Sequence, residues 1–577
     1  MFAFIKGLTP PEGLPERQLK LSSLAAQDCH LITNSAPEVS NDSYLYQDEV
    51  TLACFDGCLA NSKRLIDSYA VQGIDELLEK VLVDQDTGLP HYFYGQFTCM
   101  SYRAEGQGKG IFFGNQVGSA KLYYWHQGQQ LIVSGSLAMV VAILRHNNVK
   151  CELDEIGVRM LMAHGYLYAD YTTIAGIKHL EAGSILHWDG GELRETKYCR
   201  YPTEISSDGM HKAVHILNDL FRESVQHIHE WDLRHQRRHL AFLSGGLDSR
   251  MTVYTAKDLG FKDLSVLNFS QTGYKDHTIA RKIARKEGLN FLFYPLDGGR
   301  YLLDSHTAIN YNDGQVFYQG ATHLDAALRA INQVEFGIIM SGQIGELMLG
   351  RFLNKPEHEP AGAKSISINP VHDPALDDVM KQVEAAYPNH EHFSMYNRCF
   401  NSASNGDWAC FQKGHSISPF TYTPFMIYSF SLDPKIRYNN QLYFKWFNTY
   451  QKRAARVPWE KTWLPPSLGL KAMELGMLAH KVRDRLNMMG LTLPQNMNPY
   501  ARWFKADPAL LKSLDEMIRN SDTHGVMAAS NLAALFNENV NSPLFNVRMS
   551  AYTAAHSLNK MLGGDQPWIP ERFTGGF

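Results

Sequence analysis

Between residues 239 and 341 four short apolar runs alternate with helical stretches, and this alternation constrains the fold more than any other feature. The runs are HLAFL (239–243), LSVLNF (264–269), FLFYPL (291–296) and FGIIMS (336–341). One helix follows Asp248 and another spans about Asp276 to Glu287. Strands with so few polar positions are buried on both faces, and parallel neighbours need crossovers of helix length. A parallel sheet with helices on its faces is therefore expected, with ligands outside the carboxyl ends of the strands.

Upstream, from Glu49 to about Tyr201, the pattern is different. Short alternating runs (VTLACFDG, FYGQFTCMSY, GIFFGN, LYYWHQ, QLIVSG) are separated by Gly, Asn and Gln, which reads as a mostly β domain with a few helices. The segment 201–210 breaks that pattern. Val214, Leu217, Leu220, Phe221, Val225 and Ile228 then recur at helical spacing, so the chain divides into 1–204 and 205–577. Beyond about residue 375 helical periodicity prevails. The loop from Asn354 to Pro374 is punctuated by prolines and reads as a surface loop, with a mobile lid as the second reading.

Charge and cysteine content narrow the function classes. The 55 basic and 59 acidic residues give a net charge of −4, which leaves no cationic excess for a nucleic-acid backbone or an anionic membrane. Any phosphate must be bound locally. Eight cysteines with no CxxC pair fit neither a disulfide scaffold nor a zinc site, so reduced thiols and a cytoplasmic location are expected. The N-terminus, MFAFIKGLTPPEG, lacks the apolar region of a secretory signal. The longest apolar stretch, Leu131 to Leu144, is too short to span a bilayer and reads as a strand running into a helix. His227 and His229, two apart on a helix, face different ways, and His358, His390 and His392 read as solvated loop residues.

The turn Ser244-Gly245-Gly246-Leu247-Asp248-Ser249 lies directly between the first apolar run and a helix. Two glycines let consecutive N–H groups curl toward one point, and the helix start adds partial positive charge there. The turn suits a phosphate, although the lysine of a GxxxxGK[ST] loop is missing. Asp248 inside such a cradle repels phosphate unless a divalent cation lies between them.

SGGLDS after an apolar strand resembles the pyrophosphate loop of the N-type ATP pyrophosphatases, and specifically that of the asparagine synthetase family. Ser341-Gly342-Gln343-Ile344-Gly345-Glu346 resembles the second loop of that family, SGxGxDE. Weaker matches are FDGCLANSKRL (55–65), YGQF (94–97) and GNQVGSAKLYYW (114–125) in the first domain. The resemblance implies an Ntn-hydrolase-like α+β sandwich, of the class II glutamine amidotransferase kind, followed by a parallel-sheet PP-loop domain with a helical C-terminal extension. It also implies ATP and Mg2+ as cofactors, and a reaction that adenylates a carboxylate, releases pyrophosphate and forms an amide with an amine. Ser244, Gly245, Gly246 and Ser249 would hold the pyrophosphate. Leu243, Gln271, Ser341 and Gly342 would contact the nucleoside, mostly through backbone groups. Asp248 and Glu346 would ligate magnesium, and Lys461 in PWEKTW (458–463) would approach the adenylate.

The departures from the family narrow the expectation. A glutamine-hydrolysing member needs cysteine as its first mature residue; here position two is Phe2 and no cysteine precedes Cys29. The family's Asn-Gly-Glu turn reads Asp56-Gly57-Cys58, and Cys58 is expected to be a small buried thiol. Gln343 occupies a catalytic position where asparagine synthetase carries a glutamate, and it cannot accept a proton. β-Lactam synthetases and lasso-peptide cyclases also lack the glutaminase cysteine. The expected activity is a ligase that does not hydrolyse glutamine and acts on ATP with a substrate supplying carboxylate and amine, a small molecule or a modified peptide. An asparagine synthetase using free ammonia and a non-catalytic nucleotide-binding scaffold are the alternatives, and a homodimer is compatible with either.

Overall fold

Strand β1 (Phe2–Lys6) is buried along all five residues because it lies inside a sheet covered on both faces. The computed structural model describes residues 1–577 apart from 13, 15–18, 25–27, 35–41, 85–88, 305–308, 310, 318, 370, 412–413, 489–495, 571–572 and 574–577. β1 pairs antiparallel with β3 (Cys29–Asn34) and with β9 (Gln130–Ser134). β2 (Leu19–Leu24), β8 (Tyr123–Gln127) and β10 (Lys178–His179) complete this sheet in the order β10-β8-β9-β1-β3-β2.

A second antiparallel sheet runs β12-β11-β7-β6-β5-β4. Its strands are β4 (Tyr44–Gln47), β5 (Thr51–Leu59), β6 (Gly95–Arg103), β7 (Lys109–Gly114), β11 (Ser184–Asp189) and β12 (Glu192–Lys197). Phe4, Leu31 and Val133 of one sheet meet Leu52, Met100 and Phe112 of the other in a shared core. Helices α1 (Ser62–Tyr69) and α2 (Ile74–Leu82) cover the outer face of the second sheet, and α3 (Leu137–His146) and α4 (Glu155–His164) cover that of the first. The result is a four-layer αββα sandwich, the Ntn-hydrolase-like arrangement expected of this half.

Helix α5 (Met210–Arg234) leads into the parallel sheet. Its strands are β13 (Arg238–Phe242), β14 (Ser265–Ser270), β15 (Asn290–Pro295), β16 (Phe336–Met340) and β17 (His415–Ile417), in the order β15-β14-β13-β16-β17. All four pairings are parallel. Helix α6 (Asp248–Asp258) connects β13 to β14, and α7 (Lys275–Glu287) connects β14 to β15. The chain then returns to the other side of β13. The strand order therefore reverses between β13 and β16, and such a reversal opens a crevice at the carboxyl ends.

The two halves share their cores. Cys58, Tyr94 and Val117 from the sandwich belong to the same cluster as Leu217, Met251 and Phe420. The helix Phe545–Leu562 packs back onto α3 and α4. One expectation is corrected here. His390 and His392 are buried and His358 is partly so, because a short helix, His390–Ser394, seats the first two against the interior. The stretch 354–374 is no lid among its described residues: Ile368 N–H donates to His164 O and Asn369 Nδ2 to Met162 O, and Ala363 and Ile366 are buried.

One buried carboxylate ties α5 to the sandwich. Asp42 accepts from Leu59 N–H (2.9 Å), Trp231 Nε1 (2.6 Å) and an Arg234 guanidinium nitrogen (2.6 Å), with His235 Nε2 at 3.1 Å. Burial by itself would raise this carboxyl; the contacts of His235, Arg234, Leu59 and Trp231 together outweigh burial and hold it below the ordinary carboxylate range. Replacing Asp42 by Ala strands these partners and is expected to lower stability by about 3–5 kcal/mol. A group whose folded pKa is depressed stabilises above its unfolded pKa and loses that contribution as pH falls through the folded value. The difference between wild type and Asp42→Asn in urea unfolding is therefore expected to be full near neutrality and to shrink below about pH 4.

Candidate active site

The two resembling loops stand side by side at the reversal, one after β13 and the other after β16. Their contact requires small residues. A Cβ on Gly342 would lie 2.7 Å from Ser249 N, and one on Gly345 would lie 2.5 Å from Asp248 Cγ. Ile344 adopts φ +67° where the family pattern has Gly. Such a conformation costs an L-residue about 1–2 kcal/mol, and the buried side chain of Ile344 in the main core holds it there.

Three charged groups from three distant segments converge here. Asp248, the first residue of α6, accepts from Tyr443 OH at 2.6 Å on Oδ1 and from Glu346 N–H at 3.3 Å on Oδ2. Lys461 Nζ lies 3.0 Å from Glu346 Oε1, with Arg351 Nε 3.9 Å from the same oxygen. Burial, and next the charge of Glu346, push the Asp248 carboxyl well above its usual range. Lys461 is thus paired with an acid and is not a solitary surface lysine.

Hard carboxylate oxygens from Asp248 and Glu346 fit Mg2+, which usually takes one or two carboxylates together with substrate phosphates. No group of three or more His, Cys, Asp or Glu among the described residues forms a protein-only cage.

The first loop is braced from below. Ser244 N–H donates to Ser249 Oγ (3.0 Å), Gly245 N–H to Asp276 Oδ1 (2.6 Å) and Gly246 N–H to Ser244 Oγ (3.1 Å). These N–H groups are engaged within the protein, whereas α6 starts without a side-chain cap. The two hydroxyls, 2.9 Å apart, and the first turn of α6 are the groups that face a phosphate most readily.

The expected nucleoside contacts are also partly engaged. Leu243 donates its N–H to Leu267 O (3.0 Å), and its carbonyl accepts from Asn268 Nδ2 (2.8 Å). Ser341 gives its N–H to Ile417 O and its hydroxyl to Asp407 Oδ1 (3.2 Å). Gln271 Nε2 donates to Asn496 O (2.6 Å). Gln343, in the amide orientation that satisfies both of its ends, donates to Asp407 Oδ2 and Ala403 O, each at 3.1 Å. It points below the loop as a strut.

Residues outside the two loops complete the site. Arg250, fully buried, donates to Gly245 O (2.8 Å), Val457 O (2.9 Å) and Pro458 O (2.5 Å), which fastens the first loop to the segment bearing Lys461. Burial lowers its guanidinium to about 10, so it remains charged at neutral pH. Gln96 of β6 donates to Asp407 O (2.8 Å) and accepts from Ser416 N–H (3.0 Å), so the sandwich braces the second loop through Asp407. Burial pushes Asp407 up to about 7.

Cys58 is fully buried, and burial raises its thiol well above the usual range. Phe2 and Cys29 lie in the core between the sheets.

No family model matches the chain, and no curated protein matches it. Among solved structures, glutamine phosphoribosylpyrophosphate amidotransferase from B. subtilis, complexed with ADP and GMP, aligns with 51% of this chain and 85% of its own at 11% identity and TM-score 0.23. A structure described as the allosteric regulatory enzyme of purine biosynthesis aligns with 51% of this chain and 74% of its own at 9% identity and TM-score 0.22. At these values neither similarity identifies a family, and what the site does is read from its own side chains.

Proposed function

We propose that the chain is an ATP- and Mg2+-dependent carbon-nitrogen ligase. It adenylates a substrate carboxylate, releases pyrophosphate and passes the acyl group to an amine without hydrolysing glutamine. The observation that carries this reading is the meeting of Asp248, Glu346 and Lys461 at the strand reversal. The charge of Glu346 acts on the Asp248 carboxyl, a repulsion that a divalent cation would relieve, and the reversal is where nucleotides sit in sheets of this kind.

Ser244, Ser249 and the start of α6 hold and orient the phosphates. Asp248 and Glu346 offer oxygen to Mg2+, which when bound neutralises phosphate charge. Lys461 places a fixed positive charge beside the reacting phosphate and acyl oxygens, where charge develops in the transition state. Arg250 keeps that lysine in register with the first loop. Gln343, turned toward Asp407, takes no proton, which counts against aspartate as the substrate.

Isotope exchange from pyrophosphate into ATP, driven by a panel of carboxylates and by aspartate, tests the proposal. Exchange with aspartate alone favours an ammonia-using asparagine synthetase. ATP binding without exchange favours a non-catalytic scaffold, a reading supported by the closure of Asp248 beneath Tyr443. Cys58→Ala is expected to leave exchange unchanged, because the thiol is a fully buried core group. Loss of exchange in that variant, with the fold retained, would assign the sandwich a catalytic role.

A further inference from the structure

Of the thirteen large apolar residues that stand exposed among the described residues, six fall between 463 and 486. Such clustering differs from the scattered exposure of an ordinary surface. Four of them, Leu475, Leu478, Val482 and Leu486, are 68%, 59%, 51% and 37% exposed and lie on the helix Leu470–Met488. Steps of three, four and four residues put them on one stripe of that helix.

The opposite side is already committed. Met473 is buried, Thr462 Oγ1 lies 3.7 Å from Met473 Sδ, and a Cβ on Gly476 would stand 2.6 Å from Thr462 Cβ. The helix is thus seated on the segment that carries Lys461 and leaves the outer stripe uncovered by the described residues. Its flank bears exposed Glu474 and Arg485.

We propose that this stripe is covered by a second copy of the chain, packed antiparallel across a two-fold axis near residues 480 and 481. About such an axis Leu475 meets Leu486 of the other copy, and Leu478 meets Val482, so the stripe complements itself as an isologous interface requires. In antiparallel helices residues on the same flank face each other. Glu474 and Arg485 share a flank, so each copy's acid faces the other's guanidinium twice over. Lys481 falls near the axis, where its long side chain can extend into water. The charge pairing favours a copy over an unrelated apolar partner or a lipid surface. The pairing would also press the helix onto the Lys461 segment from outside.

Sedimentation velocity of the full chain over a range of concentrations tests this. The wild type is expected to dimerise, and Leu478→Asp with Val482→Asp to be monomeric with unchanged circular dichroism, because both positions are exposed. Glu474→Arg is expected to weaken association by about tenfold or more, and adding Arg485→Glu to restore it. A wild type that stays monomeric, a dimer indifferent to the aspartates, or a charge reversal that does not rescue would each overturn the proposal. Binding of the monomer to anionic vesicles, with no self-association, would assign the stripe to lipid instead.

Discussion

Asp248→Asn is expected to abolish pyrophosphate exchange, lowering it by roughly a hundredfold to a thousandfold while the protein stays folded. The substitution keeps the volume and leaves Tyr443 OH an acceptor in the amide oxygen. What it removes is charge. Glu346 already has Lys461 at 3.0 Å and Arg351 Nε at 3.9 Å, so without Asp248 the site keeps no net negative charge and loses its attraction for a divalent cation. Exchange measured at saturating ATP, with unfolding by urea as control, distinguishes loss of chemistry from loss of fold. Exchange that survives intact would remove Asp248 from the machinery.

Arg250→Ala is expected to lower unfolding free energy by about 3–5 kcal/mol, which follows from stranding two buried carbonyls and a partly buried third and opening a cavity. The affected carbonyls belong to Gly245, Val457 and Pro458, so the loss also separates the first loop from Lys461. Arg250→Lys keeps the charge but not the planar fork, and is expected to recover only part of the stability. Urea unfolding of the three proteins measures both effects. A cost near zero for Ala would mean that the staple contributes nothing to holding the segment.

Local pattern revealed most of the parallel sheet. The runs at 239–243, 264–269, 291–296 and 336–341 match β13 to β16 to within a residue, since strands buried on both faces leave unbroken apolar words in the chain. β17 has three residues, too few to register as a strand. β1, buried at all five residues, shows no alternation, and β12 is polar along an edge of its sheet, so neither carries the period that marks a half-buried strand. Asp248, Glu346 and Lys461 stood out through motif and resemblance. Tyr443, Arg250 and Asp407 did not, and Gln96 lies in the weakly matching YGQF without a role of its own, because each acts on a partner far away in sequence; Tyr443 and Asp248 are 195 positions apart, and Gln96 and Asp407 are 311. The histidines near 390 were misjudged for the same reason: polar neighbours in the chain say nothing of the packed elements that bury them.

Electron paramagnetic resonance of Mn2+ titrated into the full chain with and without ATP tests the shared cation most directly. Tight Mn2+ binding only when ATP is present, lost in both Asp248→Asn and Glu346→Gln, is the predicted result. Binding of ATP that is indifferent to the metal, or Mn2+·ATP binding unchanged in both variants, would contradict it.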